Sequence, residues 1–116
     1  MKKLISILFI LSAILVYGQN IPTNGLVAYY PFNGNANDAS GNNLHAQVLN
    51  AALSQDRFNS QNNSYFFDIS TWNNWINIPY NPSFNSSQIT VAVWVKRTSN
   101  GNTNNGMNII NRFQYG

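Results

Sequence analysis

Few residues of this chain have side chains suited to acid–base chemistry. Only three of its 116 residues are acidic, namely Asp38, Asp56 and Asp68, and there is no Glu. Glycoside hydrolysis needs one carboxyl group as general acid and a second as nucleophile or base, about 5 to 10 Å apart. Even if Asp38 and Asp68 approach in space, both border polar loops and neither has a second acid on its own strand. We therefore expect that the protein is not an enzyme.

The remaining nucleophile and base candidates do not form a recognisable catalytic set. His45 is the single histidine, and the chain has no Cys. A serine hydrolase with a nucleophile elbow would need a Gly-x-Ser-x-Gly turn, and this sequence has none. We expect His45 to lie on the polar face of a strand, in contact with solvent.

Asp38 and Asp68 are also candidate ligands for a metal ion. Calcium takes roughly six to eight oxygen ligands from carboxylates, amides and backbone carbonyls. Both aspartates lie beside turn residues, and Asn74 can add an amide oxygen. The sequence therefore predicts a calcium site with Asp38, Asp68 and Asn74 among its ligands. The alternative is that the Asp38 carboxylate accepts hydrogen bonds from the backbone amides of its own turn.

Aromatic residues near one turn indicate carbohydrate binding, because a flat ring can stack on the C–H groups of a sugar. Trp72, Trp75 and Tyr80 fall in one short stretch with several Asn residues, and sites of this kind combine apolar surface with a few placed polar groups. The residues that we predict to bind the ligand are Trp72, Asn73, Asn74 and Tyr80. Trp72 lies in a turn and should be exposed, whereas Trp75 and Trp94 lie in predicted strands and should be packed inside.

The first 18 residues have the pattern of a secretory signal peptide. Lys2 and Lys3 precede an apolar run over 4–16, and small or modest residues then precede Gln19. A membrane anchor is the alternative, but thirteen helical residues reach only roughly 20 Å, short of the ~30 Å hydrocarbon core. We predict cleavage after residue 18, a secreted or cell-surface location, and no stable membrane insertion after cleavage.

Net charge bears on which classes of partner the protein can bind, and cysteine content bears on how the chain is stabilised. Without Lys2 and Lys3, four basic residues face three acidic ones, which leaves a net charge of +1. This small charge does not indicate a nucleic-acid partner. The absence of Cys means that no disulfide stabilises the exported chain.

The secondary-structure pattern is that of an all-β protein rich in turns. The chain contains 22 Asn residues, a type that favours turns over helix and strand interiors. The strongest strand signal is 88–97, where Ile89, Val91, Val93 and Val95 alternate with more polar residues. Residues 50–63 read as a loop. The predicted strands are 26–32, 44–49, 64–69, 75–79, 88–97 and 107–113.

Four segments resemble, in order, the motifs of one known family. The first is Leu-Val-Ala-Tyr-Tyr-Pro-Phe-Asn-Gly-Asn-Ala-Asn-Asp-Ala-Ser-Gly-Asn at 26–42. The second joins Ser-Tyr-Phe-Phe-Asp at 64–68 with Trp-Ile-Asn-Ile-Pro at 75–79, the third is Ile-Thr-Val-Ala-Val-Trp-Val-Lys at 89–96, and the fourth is Ile-Ile-Asn-Arg-Phe at 109–113. Together they resemble the laminin G-like jelly-roll domains of the concanavalin A-like lectin/glucanase superfamily, which are common in secreted proteins of Bacteroidetes-type bacteria.

This resemblance implies an antiparallel jelly roll of two sheets that often carries calcium and often binds glycans or proteins. It implies that 25–116 form the N-terminal part of such a domain, after a helical signal peptide at 1–18 and a lead-in at 19–24. The family has Asp and Gly where this chain has Asn74 and Ile69. These departures remove a charge and stiffen a turn, so any calcium site should be weak.

The expected function is a non-catalytic module of a secreted protein that binds a polysaccharide, a surface glycan or a surface protein. Two alternatives remain at this point. One is a structural or adhesin module of a larger surface protein. The other is the N-terminal part of a glycoside hydrolase-like protein whose catalytic acids lie elsewhere.

Overall fold

The described structure consists of short β-strands joined by turns. A computed structural model describes residues 21–68, 70–71, 73–98 and 108–112. Its elements are β1 (Gln47–Leu49), β2 (Ala52–Ser54), β3 (Ser64–Phe66), β4 (Trp75–Asn77) and a 3₁₀ helix (Pro82–Asn85). The predicted signal helix at 1–18, Trp72, and both ends of the predicted strand 107–113 lie outside the described residues.

The four strands form two antiparallel pairs with a nested order. β1 pairs with β4, where Val48 lies opposite Ile76, and β2 pairs with β3, where Leu53 lies opposite Tyr65. Only residues 50–51 separate β1 from β2, whereas 67–74 separate β3 from β4. The four strands are therefore nested as one hairpin with a tip at 55–63. The connection between β3 and β4, which we call the extra turn, includes the described residues 67–68, 70–71 and 73–74.

The positions of three predicted strands are confirmed, although each is shorter than predicted. The alternation over 44–49 also holds, because Leu44 is buried, Ala46 and Val48 are half-buried, and His45 is exposed. β2 falls inside the region predicted to be a loop. Its two apolar residues lack the alternation of a longer strand, and pairing with β3 is what orders them.

The predicted strand at 26–32 is wrong: all of these residues are described, and none belongs to a strand. The Tyr29 amide donates to the Asp38 carboxylate at 2.9 Å, and the Tyr29 carbonyl accepts from the Ala39 amide at 2.8 Å. Phe32 has a φ of 57°, which is left-handed backbone and ends any extended run. Local loop contacts thus take the place of a neighbouring strand.

The predicted strand at 88–97 is also not observed, although the structure describes that whole segment. Its alternating apolar side chains are exposed, for example Val91 at 59% and Val95 at 57%. The assignment of two tryptophans to the interior is wrong as well, because Trp94 is 84% exposed and Trp75 is 48% exposed. A segment with an alternating pattern forms a strand only if a neighbouring strand pairs with its backbone. In the described part of the chain, no strand pairs with 88–97.

The interior is small. Among the described residues, those that are buried are Ala36, Asp38 and Leu44. A ring cluster extends this centre toward the hairpin, since Phe32 stacks on Tyr30 at 6.1 Å between ring centroids and meets Tyr65 edge-on at 5.3 Å. The described residues contain no α-helix, and hence none that is long and apolar enough to cross a membrane. The all-β class is therefore confirmed for the described part.

Candidate functional site

Asp38 organises the loop at 33–44. One carboxylate oxygen accepts from the amides of Tyr29 at 2.9 Å and Ser40 at 2.8 Å. The other accepts from the Ser40 hydroxyl at 2.8 Å and the Leu44 amide at 3.0 Å. Because each oxygen already receives two donors, the carboxylate acts as the centre of a polar loop, as the hydrogen-bonding alternative for Asp38 predicts.

The electrostatics of this loop follow from the same hydrogen bonds. Burial of the Asp38 carboxyl raises its pKa, but the bonds from Tyr29, Ser40 and Leu44 outweigh burial and lower the pKa to about 2. Tyr30 donates to the Leu44 carbonyl at 2.6 Å, and burial together with the Asp38 charge raises the pKa of Tyr30 to about 12. The loop thus favours an ionised Asp38 beside a neutral Tyr30.

His45 belongs to the same loop rather than to a catalytic set. Its Nδ1 accepts from the Asp38 amide at 3.1 Å, and its ring is exposed. An accepting Nδ1 places the proton of a neutral imidazole on Nε2. His45 therefore supports the backbone at Asp38 and faces solvent with its other edge.

Asp68 and Asn74 lie together in a different turn. The Asp68 carboxylate accepts from the Ser70 amide at 2.9 Å, and the pKa of Asp68 is lowered chiefly by that bond and by the Ser70 hydroxyl. Asn74 uses its Nδ2 group to bond the carbonyls of Asp68 and Thr71. The structure therefore brings two of the three predicted calcium ligands into one turn and places Asp38 in a separate loop. Among the described residues, no three acidic, His or Cys side chains gather as a metal cluster.

All three aspartates of the chain have the same local role. Each carboxylate accepts the amide two residues ahead, which is Ser40 for Asp38, Phe58 for Asp56 and Ser70 for Asp68. This geometry is the Asx turn. The sequence signal for it is an Asp inside a polar stretch, which is the same signal that suggested metal ligation.

An exposed aromatic site forms around Tyr80. The Tyr80 ring is 74% exposed, and its hydroxyl oxygen accepts from the Asn85 side chain at 2.8 Å. Arg112 in turn donates to the amide oxygen of Asn85. The 3₁₀ helix positions Asn85, because Asn81 caps that helix by accepting the Ser83 amide at 2.9 Å. The result is a flat ring bordered by an amide and a guanidinium group.

The other residues predicted to bind ligand have different roles. Trp72 lies outside the described residues. The Asn73 carbonyl accepts from the Asn50 side chain at 2.8 Å, which joins the extra turn to the segment between β1 and β2. Asn74 has its donor group occupied within the turn. Among the described residues of this predicted site, Tyr80 is the one that presents an exposed aromatic ring.

Sequence reasoning missed Asn85 and Arg112 as neighbours of Tyr80. Arg112 is 27 residues from Asn85, and no pattern links the two positions. A polar groove of about 320 Å³ lies near this site, since its lining includes Asn81 and Ser83 together with Gly25, Val27 and Asn42. That volume is at the lower end of the range for small-ligand sites, roughly 300 to 1,000 Å³.

Neither a known protein family nor a curated protein nor a solved structure matches this chain.

Proposed function

We propose that the protein is a non-catalytic carbohydrate-binding module and that the Tyr80 site contacts the sugar. The observation that carries this proposal is the 74% exposure of the Tyr80 ring beside the Asn85 amide and the Arg112 guanidinium. Exposed aromatic rings supply apolar area at a small cost in conformational entropy. The Tyr80 hydroxyl accepts from Asn85 and keeps its own proton for a sugar oxygen.

The acceptor and donor groups at this site match a sugar hydroxyl. A hydroxyl both donates and accepts a hydrogen bond. Asn85 and Arg112 are held by each other, so little side-chain freedom is lost when a ligand binds. Asn81, next to Tyr80 in the chain, also lines the polar groove that includes Gly25 and Asn42.

The test is binding to a panel of neutral polysaccharides by affinity electrophoresis. Tyr80→Ala should weaken binding about tenfold, because stacking on a ring contributes roughly 1 to 2 kcal/mol. Tyr80→Phe keeps the ring and should lose much less. Phe67→Ala is the matched control, since Phe67 is also an exposed ring, at 39%, and has no part in the Tyr80 site. Equal losses of binding for Tyr80→Ala and Phe67→Ala would show that the sugar does not bind specifically at Tyr80.

We further propose that the two antiparallel strand pairs belong to a jelly roll of the laminin G-like type, and that 1–18 direct export. The nested order of β1 to β4 supports the first proposal, and the charged-then-apolar order of the leader supports the second. Calcium would use the Asp68 turn with Asn74.

Finding Gln19 as the first residue of the protein in culture medium would verify export, and an intact leader would contradict it.

A further inference from the structure

A second aromatic and basic cluster lies away from the residues of the Tyr80 site. The Arg57 guanidinium carbon is 4.1 Å from the centre of the Trp94 ring and 4.6 Å from the centre of the Phe58 ring. Trp94 is 84% exposed and Phe58 is 70% exposed. We call these three residues the Arg57 cluster. It joins the hairpin tip at 55–63 to the exposed segment at 88–98.

The cation–π contacts hold the guanidinium in place without occupying its hydrogen-bond donors. A cation over a ring face is attracted by the ring quadrupole, and Arg stacks on aromatic faces while its planar edge keeps five N–H donors. In the described part of the chain, Arg57 makes no hydrogen bond or ion pair to another residue. The two rings thus hold the Arg57 guanidinium in place, and its N–H groups can donate hydrogen bonds to a ligand.

The neighbouring acid, Asp56, forms no ion pair with Arg57 in the described part of the chain, although the Ser60 hydrogen bond and, less strongly, the Arg57 charge lower the pKa of Asp56. The Asp56 carboxylate accepts from the amides of Phe58 at 2.8 Å and Ser60 at 2.9 Å. These hydrogen bonds hold the Asp56 carboxylate in the turn at the hairpin tip. Lys96 is two residues beyond Trp94 and is exposed, so it adds positive charge near the ring. The cluster is therefore suited to an anion.

We propose that the Arg57 cluster binds an acidic polysaccharide through the carboxylates of its uronic acid units. A uronic acid combines the two features that the cluster can recognise. Its C–H face can stack on the exposed Trp94 and Phe58 rings, and its planar carboxylate matches the fork of the Arg57 guanidinium, which binds carboxylates in a bidentate way. This proposal extends the proposed carbohydrate binding to a second, charged ligand class and uses none of the residues of the Tyr80 site.

The decisive probe is polygalacturonate, compared with the same polymer after reduction of its carboxyl groups. Affinity electrophoresis and titration calorimetry at low salt should show binding to the acidic polymer and at least about tenfold weaker binding to the reduced one, because a bidentate charge-assisted pair is lost. Binding should also weaken as salt is added. Equal binding to both polymers, or binding to neither, would overturn the proposal.

Variants then assign the binding to these residues. Trp94→Ala and Arg57→Lys should each weaken polygalacturonate binding about tenfold, the first by removing the ring and the second by removing the fork while keeping the charge. Arg57→Lys keeps both rings and remains informative if Trp94→Ala does not give soluble protein. Arg97→Lys is the matched control, because it exchanges a guanidinium on the same segment. An equal loss for Arg97→Lys would show general attraction by guanidinium groups and would contradict the proposal.

Two further measurements separate this proposal from the Tyr80 site and from another ligand class. Tyr80→Ala should leave polygalacturonate binding within about twofold, so the two sites can fail independently. Dextran sulfate and single-stranded DNA test whether any polyanion suffices. If the unchanged protein binds either of them as tightly as it binds polygalacturonate, any polyanion suffices and the carboxylate-specific site is overturned.

Discussion

At the scale of single residues, the polar side chains of this protein mainly shape its backbone. Among the described residues, five non-glycine residues have positive φ, and four of them are Asn43, Asn50, Asn59 and Asn62. Asn tolerates left-handed backbone better than most residue types. The Asn-rich composition therefore has a direct structural use in turns. The aspartates serve the same end by accepting amides two residues ahead.

Asp38 makes the stability of its loop dependent on pH. Its pKa is lowered from 3.8 to about 2 in the folded chain, so ionised Asp38 stabilises the fold above pH 3.8 and this stabilisation is lost as the pH falls toward 2. The loss amounts to about 1–2 kcal/mol once solvent screening is included. We expect the amides of Tyr29 and Leu44, which donate to Asp38, to lose about tenfold in hydrogen-exchange protection over this window.

The control for this prediction is Asp38→Asn, followed by NMR. The variant lacks the titrating carboxyl, so the two amides should be weakly protected at neutral pH and should show no acid transition between pH 4 and 2. Asp38→Asn should also bring the raised pKa of Tyr30 part of the way back toward its ordinary value. The return is incomplete because burial, which the substitution leaves in place, is the larger cause. Unchanged protection of Tyr29 and Leu44 in Asp38→Asn would contradict the role of this carboxylate.

At the scale of elements, the hairpin depends on its turns as much as on its strands. Each strand has only three residues, so few ladder hydrogen bonds define the register. At the tip, the Asn62 carbonyl accepts from the Gly34 amide at 2.7 Å, which joins the Asp38 loop to the hairpin. At the side, Asn50 bonds the Asn73 carbonyl at 2.8 Å and thereby links the extra turn to the outgoing strands.

Asn62 provides a test of this dependence on turns. Its φ is 61°, a conformation that costs a β-branched residue roughly 1–2 kcal/mol. Asn62→Val should therefore destabilise the tip by about that amount, whereas Asn62→Gly should be nearly neutral. Hydrogen exchange of the Gly34 amide reports the change. Asn77→Val is the matched control, because Asn77 lies exposed in β4, where Val is favoured; an equal effect at both positions would refute the argument.

At the scale of the whole molecule, little apolar surface of the described chain is removed from water. The buried apolar residues there are Ala36 and Leu44, while Ile89, Val91 and Val93 are each more than half exposed. A cooperative transition requires a packed interior that is lost at once. Exposed alternating apolar residues also invite pairing with another chain.

We expect broad, weakly cooperative thermal unfolding and binding of the dye ANS before heating. Calorimetry and dye fluorescence measure these two properties. Val93→Lys should reduce self-association in light scattering without changing the breadth of the transition, because a charge on an exposed apolar segment opposes pairing. Thr90→Lys adds the same charge at an exposed polar position of the same segment and should have less effect. A sharp two-state transition of a monomer would show that the described interior is stabilised in another way.

The features that depend on near neighbours along the chain could be predicted from the sequence. The all-β class, the strand positions within 44–49, 64–69 and 75–79, and the polar loop around Asp38 all arise from alternation and turn chemistry. Exposure was predicted for Trp72 alone, and it is the structure that shows Tyr80 to be exposed. Local propensity does not say which strand accepts a given hydrogen bond, so 26–32 and 88–97 were predicted to be strands and are not.

The sequence by itself therefore determined the turn-rich all-β character of this protein, the small net charge of residues 19–116 and the types of side chain available for binding. Only the tertiary structure decided the partners: β1 with β4, Arg112 with Asn85, and Arg57 with Trp94. The physical reason is that turn and strand preferences act over a few residues, whereas these contacts depend on the path of the whole intervening chain. The same path left Trp94 at the surface, where we propose that it binds sugar.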